Sequence, residues 1–123
     1  MTSNNTNWMN ILYGTMSNKQ KQYGDRPDGT PKGLGFFGEL QRPDGSVSTE
    51  LSIDIDFDGQ KYYIPTLVPT LEDDEITHLL GGGEITDSIF KKALDHAKGR
   101  MSSGQSPFAL EGEQIKRSKK NAR

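Results

Sequence analysis

Hydrophobic and polar residues alternate most regularly between Val47 and Phe57. Val47, Leu51, Ile53, Ile55 and Phe57 fall on odd positions, with Thr49 the one weakly apolar member. Ser48, Glu50, Ser52, Asp54, Asp56 and Asp58 fill the even positions. A period of two over this length predicts a strand with one face on a core and one in water. Asp58-Gly59 supplies the positive backbone angles of a two-residue hairpin turn. Folding back across it sets Phe57 opposite Gln60, Ile55 opposite Tyr62 and Ile53 opposite Ile64. The apolar partners then share one face, so pattern and turn predict the same register.

Upstream, residues 24–35 hold four Gly and two Pro in twelve positions and read as a loop. Phe36 to Gln41 reads as a strand, and Arg42-Pro43-Asp44-Gly45 as a turn. A three-residue loop there pairs Phe37 with Leu51; a two-residue loop pairs Phe36 with Leu51. In either register, strand, turn, strand, turn and strand make a three-stranded antiparallel meander.

Pro65 and Pro69 end the third strand. Thr70 is the expected N-cap of a helix whose first turn carries Glu72, Asp73 and Asp74, where negative charge suits the dipole. Ile76, Leu79 and Leu80 form its buried side, and Gly81-Gly82-Gly83 stops it. Thr86 is the expected cap of a second helix. Its buried face repeats Ile89, Phe90, Ala93, Leu94, Ala97 and Met101, with Lys91, Lys92, Asp95, Lys98 and Arg100 facing away. Gly104 and Pro107 close it. At the other end, Trp8, Ile11, Leu12, Tyr13 and Met16 recur at helical spacing and predict a helix from Thr6 to Lys19, weakened by ~1 kcal/mol at Gly14. The resulting organisation is a helical arm at 1–23, an α+β core at 24–109 and a basic tail at 110–123. The expected fold is α+β, the meander carrying the two C-terminal helices on one face.

Composition changes this picture in two ways. Only 31% of the 123 residues are hydrophobic and the mean hydropathy is -0.76, so the core is small. Charge is segregated: residues 44–75 carry nine acids and one base, whereas residues 91–123 carry nine bases and three acids. A chain so divided can stack head to tail on copies of itself, or lay its basic ends on an anionic partner. The absence of Cys excludes disulfides and thiolate metal sites. No apolar run approaches a membrane span, and the first residues lack a signal-peptide pattern, so no membrane partner is expected.

Candidate chemistry is sparse. Asp54-x-Asp56-x-Asp58-Gly59 matches the opening of a calcium loop, but the twelfth position, which requires Glu, is Pro65, and strand geometry sets alternate carboxylates in a row. Gly33-x-Gly35-x-x-Gly38 matches a dinucleotide fingerprint without its preceding strand and following helix. His78 and His96 have no nucleophile or third ligand beside them in sequence. Glu39 and Glu50 would face each other across the first hairpin without the cleft that paired-carboxylate hydrolysis needs. No catalytic, metal or cofactor site is therefore expected. Partner contacts fall instead on the ends: Trp8, Ile11, Leu12 and Met16 as an apolar helix face, and Lys116, Arg117, Lys119 and Lys120 as a basic cluster able to meet DNA phosphates or an acidic protein surface.

RPDGTPKGLGFFGEL at 26–40, ELSI at 50–53, IPTLVP at 64–69 and HAKGRMSSGQSPFA at 96–109 resemble a small domain of bacteriophage proteins. In that family the domain is either a short free-standing virion protein or one segment of a long polyvalent internal protein of short-tailed phages. The resemblance covers residues 24–109. It implies a non-enzymatic virion component of the tail or head–tail region, made in the host cytoplasm and present as a homo-oligomer or multi-copy ring among other virion proteins. It carries over no catalytic residue. A host-directed phage protein that inhibits a host enzyme or nucleic-acid complex is the alternative; a subunit accessory to a wall-degrading phage enzyme is a third.

Overall fold

The computed structural model describes residues 23–115. The predicted helix at Thr6–Lys19, with Trp8, Ile11, Leu12 and Met16, lies outside them, as do Lys116, Arg117, Lys119 and Lys120. The class is α+β. Among the described residues, strands β1 (Leu40–Gln41), β2 (Val47–Ser48), β3 (Ser52–Phe57) and β4 (Gln60–Pro65) precede helices α1 (Asp73–Leu80) and α2 (Asp87–Ser102).

The second hairpin has the register that the alternation predicts: Ile53 opposite Ile64, Ile55 opposite Tyr62 and Phe57 opposite Gln60. Asp58 and Gly59 both take positive φ, 53° and 74°, as the turn requires. The first hairpin pairs Leu40 with Ser48 and Gln41 with Val47. This is the frame of the three-residue loop, but it stops after two rungs, so Phe37 and Leu51 never pair.

The three-stranded meander does not form. The long strand expected from Val47 to Phe57 breaks at Thr49–Leu51, and the strands make two separate two-stranded sheets. The cause is Glu50. Alternation assigns its side chain to water, yet the residue is only 2% exposed, as is Thr49. Its carboxylate turns inward to Arg26, and the chain leaves strand geometry to let it do so. Gly35 fixes the other side of the break: it has φ 67°, and a Cβ there would overlap the Thr49 carbonyl oxygen. That carbonyl faces a neighbouring loop, not a third strand. Phe36 and Phe37 lie in this turn and outside any strand.

Leu51 closes the gap from below. Its carbonyl accepts from both the N–H and the hydroxyl of Thr66, each at 2.7 Å. This feeds the run 64–68 into the interior, where Ile64, Thr66, Leu67 and Val68 are at most 1% exposed. The larger core gathers Phe36, Leu40, Leu67, Val68 and Leu71 with Ile76, Leu79 and Leu80 of α1 and Ile89 of α2. A smaller one packs Ile55 and Ile64 on Ala93 and Ala97. Small residues spaced by four on α2 allow β4 to lie close against it.

The cap of α1 shifts from Thr70 to Glu72 because Leu71 is buried in the core. Glu75, three residues on, reaches back to accept the Glu72 N–H at 2.9 Å. Thr86 caps α2 as expected, accepting the Ile89 N–H at 3.1 Å. Phe90, expected in the core, is 40% exposed, because the buried stripe of α2 is the narrow Ile89–Ala93–Ala97 line. Lys92 and Arg100, expected to face water, are drawn into ion pairs. No helix among the described residues is long and apolar enough to cross a membrane.

Candidate functional site

The densest polar cluster lies where the loop at 24–35, the break at Thr49–Leu51 and the end of α2 meet. Arg26 grips Glu50 with two nitrogens, Nε to Oε1 at 2.7 Å and Nη2 to Oε2 at 2.8 Å. The Gly33 N–H adds a third bond to Oε2 at 2.9 Å. A buried carboxylate held by a guanidinium fork and a backbone amide is fully satisfied. The guanidinium also lies over the ring of Phe108, 4.3 Å from its centroid.

A second arginine organises the far side. Arg100 donates from Nε to the Ser106 carbonyl at 2.6 Å, and from Nη2 to Glu113 Oε1 at 2.8 Å and to the Phe108 carbonyl at 3.2 Å. Glu113 also accepts the Leu110 N–H; that bond first, and Arg100 second, hold its carboxyl below the usual range. Residues 110–115, placed in the tail by sequence, return to the core. Gln114 Nε2 donates to the carbonyls of Gly35 and Leu110, and the Ile115 N–H donates to Phe36 at 2.6 Å.

Arg100 also lies over the Phe36 ring, 5.2 Å from its centroid, and His96 meets that ring edge-on at 4.9 Å. His96 Nδ1 is buried with no hydrogen-bond partner. Burial first, and Arg100 second, push its pKa down, so the neutral ring is favoured here.

The loops repeat a phrase that the sequence holds openly: Arg26-Pro27-Asp28-Gly29-Thr30 and Arg42-Pro43-Asp44-Gly45-Ser46. They fold alike. The Arg N–H donates to the carbonyl of the fifth residue at 2.7 and 2.8 Å, and the Gly N–H donates to the Arg carbonyl at 2.9 and 3.0 Å. The Asp carboxylate accepts from both the hydroxyl and the N–H of Thr30 or Ser46. The hydroxyl bond first, then the N–H bond, lowers the pKa of both Asp28 and Asp44. Five residues is far below the period of repeat architectures, so this duplication leaves no solenoid signature. The two arginines then diverge: Arg26 reaches buried Glu50, and Arg42 reaches the Ser48 hydroxyl at 2.7 Å.

A third centre joins the helices. Glu75 accepts Lys92 Nζ at 2.7 Å, the Ser88 hydroxyl at 2.7 Å and the Glu72 N–H. These bonds, Lys92 foremost, lower its pKa to about 2, and Glu75 in turn raises that of Lys92.

These contacts account for the residues with candidate chemistry. The Gly33 N–H that a phosphate would need is given to Glu50. Glu39 accepts from the Tyr23 hydroxyl and does not face Glu50. His78 Nε2 bonds the Glu84 carbonyl at 2.7 Å. Asp54, Asp56 and Asp58 are exposed along β3 and its turn. Among the described residues, no three His, Asp or Glu side chains gather at metal-binding distance. All 17 acidic residues of the chain lie within 23–115 beside eight bases, while 1–22 and 116–123 carry seven bases and no acid. The described region is thus an acidic body of net charge −9, flanked by segments of net +7. The sequence segments 26–40, 50–53 and 96–109 converge on the Arg26–Glu50 and Phe36–Arg100 contacts. No family model matches the chain, and neither a curated protein nor a solved structure matches it.

Proposed function

We propose that this chain is a non-enzymatic bacteriophage structural or assembly protein, a multi-copy virion component of the tail or head–tail region. The observation that carries this is the partition of charge between an acidic folded body and basic flanking segments. Within the body, the buried and half-buried carboxylates serve the fold. Glu50, Glu75 and Glu113 are each held by a base and by a backbone N–H. That leaves outward surfaces and the ends to meet partners, Trp8, Ile11, Leu12 and Met16 coming before the body in sequence and Lys116, Arg117, Lys119 and Lys120 after it. The phage assignment rests on the resemblance at residues 24–109. Quantitative mass spectrometry of purified particles tests it: a fixed, multi-copy amount per particle is expected, and its absence from particles despite abundance in infected cells would refute it.

One observation favours a second function. A compact body of net charge −9 offers a surface of the same sign as a nucleic-acid backbone, which suits an inhibitor seated in the basic groove of a host enzyme. Stoichiometric recovery with one host nucleic-acid enzyme, and none in particles, is the result that this alternative expects.

A further inference from the structure

The chain holds three Asp-Gly pairs, at 28–29, 44–45 and 58–59. Such a pair is chemically vulnerable, because glycine has no side chain to shield its nitrogen and its backbone turns freely. The glycine nitrogen can attack the aspartate Cγ and close a five-membered imide ring. All six residues are exposed, so access to water does not separate the three sites. Hydrogen bonding separates them. At 28–29 both reacting groups are occupied: the Asp28 carboxylate accepts from the N–H and the hydroxyl of Thr30, and the Gly29 N–H donates to the Arg26 carbonyl. The twin turn repeats this, with Asp44 held by Ser46 and the Gly45 N–H given to the Arg42 carbonyl. At 58–59, among the described residues, the Asp58 carboxylate has no donor and the Gly59 N–H has no acceptor.

We propose that Asp58-Gly59, in the β3–β4 turn, is a site of spontaneous covalent modification, where aspartate converts to isoaspartate while Asp28 and Asp44 persist. In the first step the Gly59 nitrogen gives its proton to solvent and bonds to Cγ of the protonated Asp58 carboxyl. The Cγ–OH bond breaks and the hydroxyl leaves as water. In the second step a water molecule opens the ring. Attack at Cγ restores aspartate. Attack at the main-chain carbonyl carbon breaks its bond to the Gly59 nitrogen, and the chain then runs through Cβ and Cγ. One water leaves and one returns, so nothing is oxidised and the mass is unchanged. In the twin turns the hydroxyl bond first, then the N–H bond, lowers the pKa of Asp28 and Asp44. They therefore stay ionised to lower pH, and a carboxylate has no hydroxyl to lose as water. The consequence falls on the hairpin. A two-residue turn matched to its strands has no room for another backbone atom. Isoaspartate inserts one, so the Phe57–Gln60 rung beside the turn should open.

The test ages the folded full chain at mildly acidic pH and body temperature for several weeks. Its proteolytic peptides are then mapped by electron-transfer mass spectrometry, which breaks the Cα–Cβ bond of isoaspartate and so separates it from aspartate of equal mass. Position 58 should accumulate isoaspartate ~tenfold or more faster than position 28 or 44, because freeing a hydrogen-bonded carboxylate costs about that factor. In the chain unfolded by guanidinium chloride the three rates should converge to within a few-fold, since the protecting turns are gone. Isoaspartate at 28 or 44 forming as fast as at 58 in the folded chain would overturn the proposal. So would its absence from 58 over a period in which the unfolded chain forms it. A preference for 58 that persists in the unfolded chain would overturn it too, by assigning the difference to sequence neighbours and not to the fold.

Discussion

Replacing Arg26 with Met should destabilise the fold more than any surface substitution in the chain. Glu50 is 2% exposed and Arg26 17%, so the pair is largely desolvated. Arg26→Met keeps an unbranched apolar stem but removes the guanidinium that lies over Phe108, and leaves a buried carboxylate with only the Gly33 N–H. Breaking one partner of a buried ion pair costs about 3–5 kcal/mol. That is a large share of the ~5–15 kcal/mol by which native domains are stable. At about 4–8 °C per kcal/mol for a domain of this size, the melting temperature should fall by ~12 °C or more. Glu50→Leu alone strands the guanidinium and the Gly33 N–H and should also be costly. The double variant Arg26→Met/Glu50→Leu removes both charges and should melt well above either single variant. By contrast Lys61→Ala breaks only an exposed pair, 3.7 Å from Asp54, and should change stability by less than ~1 kcal/mol. Thermal melts by circular dichroism complete the cycle. An Arg26→Met chain that melts like the Lys61→Ala chain would show that Glu50 is solvated and that the break at Thr49–Leu51 has another cause.

Two glycines with similar backbone angles should behave differently. Gly35→Ala forces a methyl group into the Thr49 carbonyl and should prevent folding, whereas Gly38→Ala, with φ 76° and open space around it, should cost only ~1 kcal/mol in chemical denaturation. Ile53→Asp, placed opposite the fully buried Ile64, should lower the melting temperature far more than Ser52→Asp one position away; equal melts would contradict the register. The lowered pKa of Glu75 means that its contribution is complete above pH 4.5 and declines as pH falls toward about 2. Glu75→Gln should flatten that part of the stability profile, and an unchanged profile would assign the acid loss elsewhere.

The parts of this fold that were readable from sequence rest on short-range signals. The β3–β4 register follows from an alternation and a two-residue turn lying inside it. The Thr86 cap and the Ile76, Leu79 and Leu80 face follow from helical spacing within a few residues. What escaped depends on pairs far apart along the chain. Glu50 was placed in water by its own alternation, because the guanidinium that buries it sits 24 residues upstream. Phe36 looked like a strand residue, but its ring is held by His96 and Arg100 from the other end of the core. Arg100 and Lys92 looked like solvated helix charges until Glu113 and Glu75 supplied partners. The repeated Arg-Pro-Asp-Gly-[Thr/Ser] phrase was visible in the letters, and its shared turn follows from local chemistry. The different fates of Arg26 and Arg42 do not, since they depend on what each loop packs against.

The same distinction bears on where partner contacts lie. Cutting the chain after Ser106 would remove Phe108 and Ala109 from the core and Glu113 from Arg100, so the basic end is separable only beyond Ile115. The decisive measurement is the copy number per purified particle of the full chain and of a form ending at Ile115, each counted by quantitative mass spectrometry after matching melts. The full chain should be present in several copies, and the shortened form should fold yet be lost from particles. Equal copy numbers for the two would contradict a role for the basic end and move the contacts onto the acidic body.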